Sequence, residues 1–213
     1  MTGVCPTCLK DDSLCICDDI GAAETRHHVL ILQHPQEPDK ELGSARIAHM
    51  ALENSTLRIG LSWPNLTKAL GRPAAQGNWG VLYLGGKTEK LKGDARPLSI
   101  VTKSGNLVDP AGVELEGIVV LDGTWAQAKT LWWRNAWLLK LKRLTIDPQR
   151  PSLYGPLRRE PRRECLSTIE SVSEALAALG EDPVVCEALR GYFALLLKKY
   201  KRRGRMPGGR LAR

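Results

Sequence analysis

No apolar run in the 213-residue chain approaches the roughly 18 to 20 residues a helix needs to span a bilayer, so no helical membrane span is expected. Nor does a basic-then-apolar leader precede the body: the N-terminus runs straight into Cys5 and Cys8, and a cytoplasmic protein is expected. No internal repeat is visible. Between positions 198 and 213 there is no acid, while Lys198, Lys199, Lys201, Arg202, Arg203, Arg205, Arg210 and Arg213 account for the whole net charge of +8. With 43% apolar and 25% charged residues, the composition excludes wholesale disorder and a coiled coil. One domain with small appendages suits this length.

The first 24 residues are acidic and carry four of the six cysteines, so 1–24 reads as a small module ahead of a body at 25–200 and a flexible basic tail at 201–213. Within the body, short Val-, Ile- and Leu-rich runs predict strands over 28–33, 57–61, 80–84, 117–122 and 143–146. Helices are predicted between and after them, over 40–54, 65–70, 125–139, 168–179 and 183–201. This alternation implies an α/β fold, a mostly parallel sheet with helices on both faces, whose ligands collect at the carboxyl ends of strands. Two long connections, 85–97 and 147–165, are rich in Lys and Arg, and loops of that length are functional or disordered.

Cys5, Cys8, Cys15 and Cys17 form a C-x2-C-x6-C-x-C array within thirteen residues. In a reducing compartment, four thiolates so spaced favour structural zinc; two disulfides, free thiols or an iron–sulfur cluster are the alternatives. Four protein ligands leave no open coordination position, so such a metal would fold the segment rather than react. Cys165 and Cys186 stand alone and read as packing residues.

The run Gly117-Ile-Val-Val-Leu-Asp122 has the pattern of a buried strand, and Thr124 with Gln127 fits a capping box. Asp122 is therefore expected at a strand's carboxyl end beside a helix N-terminus. It either satisfies orphan amides there or presents a carboxylate to a ligand crevice. Of the tryptophans that follow, Trp132, Trp133 and Trp137 are expected in the core, and only Trp125, at the helix start, within reach of a ligand.

Asp122-Gly123-Thr124-Trp125 resembles the D-x-T-W signature of the DTW-domain family, the tRNA-uridine aminocarboxypropyltransferases related to the SPOUT methyltransferases. Three other stretches agree in order: the cysteine array, Gln33-His34-Pro35-Gln36-Glu37 after the first strand, and Leu157-Arg158-Arg159-Glu160-Pro161 followed by Leu166-Ser167-Thr168-Ile169-Glu170. The resemblance implies a SPOUT-like fold with a deep trefoil knot. It also implies transfer of the 3-amino-3-carboxypropyl group of S-adenosylmethionine to N3 of a tRNA uridine, leaving 5′-methylthioadenosine. Orientation must select which of the three sulfonium carbons is attacked.

By the same resemblance the catalytic residues are Asp122, Thr124 and Trp125, and the donor is cradled by Leu84, Gly85, Gly123, Trp125, Ser167 and Thr168. The N3 proton must leave, so a general base is useful: Asp122 by resemblance, or His34, whose ring suits proton transfer but equally caps a strand end. A carboxylate beside a helix N-terminus is held in its charged form, so Asp122 alternatively accepts a hydrogen bond from the uracil or holds the donor's ammonium. Ser167 to Glu170 is a second capping box.

On the substrate side, Arg158, Arg159, Arg162 and Arg163, together with Lys199 and Arg202 of the basic tail region, supply phosphate contacts for tRNA; otherwise they form a solvated face. The competing functions are a SPOUT-type RNA methyltransferase, an aminocarboxypropyltransferase acting on rRNA, and a non-catalytic zinc-containing RNA-binding protein. Monomer and homodimer both remain open.

Overall fold

The computed structural model describes residues 3–82, 97–102, 104, 106–109, 112–148, 150–157 and 166–204. The apolar runs become strands β1 (His28–Gln33), β2 (Ser55–Ile59), β3 (Trp79–Leu82), β4 (Leu98–Val101), β5 (Leu107–Val108), β6 (Gly117–Asp122) and β7 (Lys142–Ile146). The amphipathic stretches become helices α1 (Ala45–Met50), α2 (Leu66–Leu70), α3 (Trp125–Arg134), α4 (Thr168–Ala178) and α5 (Pro183–Gly204). The strands form one sheet in the order β2-β1-β6-β3-β7-β4-β5. Its first five members run parallel, and β4 and β5 are added antiparallel at one edge.

Strands β1 and β6 lie side by side and are buried along their whole length, which is why both read as unbroken apolar runs rather than alternating ones. Val29, Ile31, Ile118 and Val120 turn to one face, where α1, α4 and α5 cover them. Leu30, Leu32, Val119 and Leu121 turn to the other, against α2, α3 and the turn at Ala136–Lys140. Both strands end on a polar residue, and register puts Gln33 directly beside Asp122. Every apolar position is used before the chain reaches that pair.

The cysteine segment packs into the same core as the body: Leu14 and Ile16 are fully buried among residues of β1, α1, α4 and α5. Lys199 of α5 donates to the carbonyl of Cys15 and lies 3.7 Å from Asp19. Helix α5 continues to Gly204, beyond the expected end at Lys201.

Two helices are shorter than the periodicity predicts. The helix expected over 40–54 is reduced to Ala45–Met50, because 34–43 folds into successive turns (Glu37 N–H to His34 O, Lys40 N–H to Glu37 O, Gly43 N–H to Lys40 O). The helix expected over 125–139 ends at Arg134, because Asn135 is fully buried and its amide is consumed. Its Nδ2 donates to the carbonyls of Leu61 and Leu131, and its Oδ1 accepts from the Trp63 N–H at 2.8 Å. That break turns Trp137 inward, with its indole N–H on the Trp63 carbonyl, and leaves Trp133 73% exposed instead of in the core. Strands β4 and β5 were not expected at all. Among the described residues no helix is long and apolar enough to cross a membrane.

Candidate functional site

Asp122 closes β6, and Gly123 turns the chain from the strand into α3. A side chain at Gly123 would put its Cβ 2.8 Å from the Gln127 Cβ, so the turn demands glycine. Thr124 then caps α3: its Oγ1 accepts from the Gln127 N–H, and the Gln127 side-chain Oε1 accepts from the Thr124 N–H at 2.6 Å. Gln127 also reaches across to Gln36, donating to its side-chain oxygen at 3.2 Å. Pro35, Gln36, Glu37, Pro38, Asp39 and Lys40 form the other wall of an open cleft of about 530 Å³, which Thr124 and Gln127 complete.

Asp122, 6% exposed, does not itself line that cleft; it lies two residues ahead of Thr124, which does. It is buried among polar partners rather than in the apolar interior. Oδ2 accepts from Gln33 Nε2 at 2.8 Å, and Oδ1 accepts from the hydroxyl of Thr168. Because a carboxylate only accepts, the Gln33 amide orientation is settled by this bond, and its Oε1 faces away, buried and with no hydrogen-bond partner among the described residues. One residue from β1, one from β6 and one from the first turn of α4 thus meet at a single point.

His34, half-buried, follows Gln33. Its backbone N–H donates to the Asp122 carbonyl at 3.0 Å, and its Nδ1 accepts from the Gln36 N–H at 3.3 Å. A neutral ring bonded in this way carries its proton on Nε2.

Ser167 is turned inward, unlike Thr124. It caps α4 in a complete capping box with Glu170, a carboxylate with no exposed surface. Glu170 accepts from Ser167 N–H and Oγ, from Ser152 Oγ, and from Leu153 N–H at 2.7 Å, with Arg190 3.8 Å away. Arg190 is itself buried and also contacts Glu174. This cluster fixes the N-terminus of α4 and thereby aims Thr168 at Asp122. Trp125, 37% exposed, borders the cleft end of α3.

Leu84, Gly85, Arg158, Arg159, Arg162 and Arg163 lie outside the described residues, as does Cys165. Of the basic residues on α5, Arg202 lines a second hollow of about 370 Å³ with Lys198, Lys201 and the apolar Leu153, Ala194 and Leu197. Cys186 is buried, and burial pushes its thiol up to about 11.

The thiol sulfurs of Cys5, Cys8, Cys15 and Cys17 all lie within 4.8 Å of one another, with Cys5 and Cys17 3.7 Å apart and none bridged. Metal–sulfur bonds of about 2.3 Å in a tetrahedron give a sulfur–sulfur edge of about 3.8 Å, so the donor set fits one ion. An iron–sulfur cluster would hold the thiolates farther apart, with sulfide-bridged irons between them. Backbone N–H groups of Cys8 and Thr7 pull the Cys5 thiol down to about 6, whereas burial pushes those of Cys8 and Cys17 up. Between Cys8 and Cys15, Lys10 is buried, and that burial lowers its ammonium to about 8 against the opposing charges of Cys8, Asp122 and Glu41.

The strand-end and capping patterns pointed to Asp122 and Thr124, whereas Gly123 and Thr168 entered only through the family resemblance. Gln33, Lys10 and Arg190 were missed. For Gln33 the available signal was a polar residue closing the apolar run 29–32.

The DTW domain family matches residues 2–201. The chain is 24% identical over 194 residues to the tRNA-uridine aminocarboxypropyltransferase 2 of Macaca fascicularis and 24% over 190 residues to that of Mus musculus, in each case across 87% of this chain and 59% of the relative. It is 27% identical over 195 residues to the protein of the same name in Drosophila melanogaster, covering 70% of that protein. The chain thus spans 59% of the length of its two mammalian relatives. No solved structure matches it.

Proposed function

Because this chain belongs to the DTW domain family, we propose that it transfers the 3-amino-3-carboxypropyl group of S-adenosylmethionine to N3 of a uridine in tRNA. The donor supplies an electrophilic methylene on a sulfonium: the N3–carbon bond forms as the carbon–sulfur bond breaks, the N3 proton passes to solvent water, and 5′-methylthioadenosine departs. The observation that carries the reading is the buried Asp122, held by Gln33 and Thr168 and two residues ahead of Thr124, which lines the cleft with Gln127.

A negative charge and an unpartnered buried acceptor, Gln33 Oε1, suit a donor that bears an ammonium and a sulfonium. Both Asp122 oxygens already accept hydrogen bonds, so its role is that of an anchor: it orients Thr168 and leaves its remaining lone pairs for the cationic donor. His34, whose Nδ1 is occupied by Gln36, offers Nε2–H as a hydrogen-bond donor. Gly123 and Trp125 form the donor side of the turn. Ser167 acts through Thr168, since its own side chain is consumed by Glu170. Leu84 and Gly85, outside the described residues, are assigned to the donor by family resemblance alone.

Lys198, Lys201 and Arg202 around their hollow, with Arg158, Arg159, Arg162 and Arg163, support a phosphate-rich partner, here tRNA. Lys199 serves instead to tie α5 to the cysteine segment. The four thiolates hold a single structural zinc, which cross-links residues 5–17 and takes no part in the transfer. The parallel order of five strands and the closeness of α4 to the end of β6 support a SPOUT-type arrangement with its trefoil knot, and unbridged thiols suit the cytoplasm.

Incubating the purified protein with S-adenosylmethionine and unmodified tRNA, followed by nucleoside mass spectrometry, tests the reading. Aminocarboxypropyl-uridine with methylthioadenosine is the expected pair of products. S-adenosylhomocysteine with a methylated nucleoside would make the protein a methyltransferase, and tRNA binding with no product would make it a non-catalytic binder.

A further inference from the structure

Lys10 stands two residues past Cys8, on the turn that closes the first cysteine pair. Leu9 N–H donates to the Cys5 carbonyl at 2.9 Å, Cys5 N–H donates to the Lys10 carbonyl at 2.8 Å, and Leu9 takes a φ of 58° to make the turn. The backbone position of Lys10 is therefore set by the metal-binding segment. Its side chain leaves that segment, 4% exposed, and its Nζ donates to the carbonyls of Lys40 at 3.1 Å, Glu41 at 3.0 Å and Gly43 at 2.7 Å. Three acceptors match the three protons of an ammonium.

Those carbonyls end the stretch of turns that supplies Pro35 to Lys40, one whole wall of the cleft. The stretch belongs to no helix or strand; its internal support is the three turn bonds at Glu37, Lys40 and Gly43. Further along it, Tyr154 donates to the Leu42 carbonyl and Arg203 contacts Glu41. These ties hold residues 41 and 42, whereas Lys10 reaches Lys40 on the cleft wall itself.

We propose that Lys10 is a positioning residue through which the metal-loaded cysteine segment holds the 35–40 wall in its binding shape, so that metal occupancy at Cys5, Cys8, Cys15 and Cys17 is coupled to the cleft. Its consequence for tRNA modification rests on the proposed transfer; the coupling itself does not.

The test is hydrogen exchange on full-length protein, with the Leu30 amide in β1 as internal reference. In Lys10→Met, zinc content should stay at that of the wild type and Leu30 exchange should be unchanged, while the Lys40 and Gly43 amides should exchange at least about tenfold faster. Chelating zinc from the wild type should accelerate the same two amides, and chelating it from Lys10→Met should add nothing further. Lys10→Arg should restore most of the protection. Turnover should follow as a raised KM for tRNA with little change in kcat.

Exchange at Lys40 and Gly43 that ignores the substitution overturns the proposal. So does chelation that accelerates Leu30 as much as Lys40, since that is global unfolding. If Lys10→Met fails to fold, Lys10→Gln, which retains one donor group, is judged by the same criteria. Wild-type protein that modifies no tRNA would refute the transferase reading while leaving the exchange result to decide the coupling.

Discussion

Helices α3 and α4 begin with the same local device and use it for opposite ends. At α3, Thr124 and Gln127 close a capping box at the surface, with a neutral partner, on the wall of a cleft. At α4, Ser167 and Glu170 close one in the interior, where the partner is charged and a buried arginine accompanies it. The sequence patterns are equivalent; burial decides what each can do. An exposed box leaves its helix end open to a ligand, whereas a buried one welds neighbouring segments and is worth far more to stability.

The sharpest way to break this contrast is Glu170→Ala. Four donors and the Arg190 charge lose their acceptor, and urea denaturation should show a loss of about 3–5 kcal/mol. Breaking the α3 box at its cap, Thr124→Ala, should cost only about 1 kcal/mol, because water replaces the lost bond at the surface. Equal losses from the two would erase the distinction.

A smaller effect concerns acid. Burial pushes His28 below its ordinary value, with Asn54 and Thr56 on its two ring nitrogens. The unfolded chain therefore binds the proton more readily. Stability from this group is complete above the unfolded value of about 6.5 and is lost as pH falls from there through the folded value. Melting temperature should drop over that acid window, and His28→Asn should flatten the slope. Burial also lowers His49, aided by Arg46, so part of the slope should survive the substitution.

The central strands and the two capping boxes were legible because they are local: an apolar run bounded by Asp122, or a Ser or Thr three residues before Glu or Gln. The edge strands β4 and β5 were not, since four residues and two residues carry too little periodicity and take their geometry from β7. The turns over 34–43 were hidden for a different reason. Lys10, some thirty residues away, supplies the ammonium that stabilises them, and no local pattern reports a long-range tie. Likewise the helix break at Asn135 comes from partners at Leu61 and Trp63, and it lies between exposed Trp133 and buried Trp137. The meeting of Gln33, Asp122 and Thr168 required the sheet order, which places β1 beside β6 although 83 residues lie between Gln33 and Gly117 in the chain.

The most direct measurement is a single-turnover assay of Asp122→Asn with S-adenosylmethionine and tRNA, run beside a tRNA-binding titration. Loss of the anchoring charge should slow aminocarboxypropyl transfer by at least about 100-fold with tRNA affinity unchanged. A variant that transfers at the wild-type rate would contradict the assignment of Asp122 to the centre of the site.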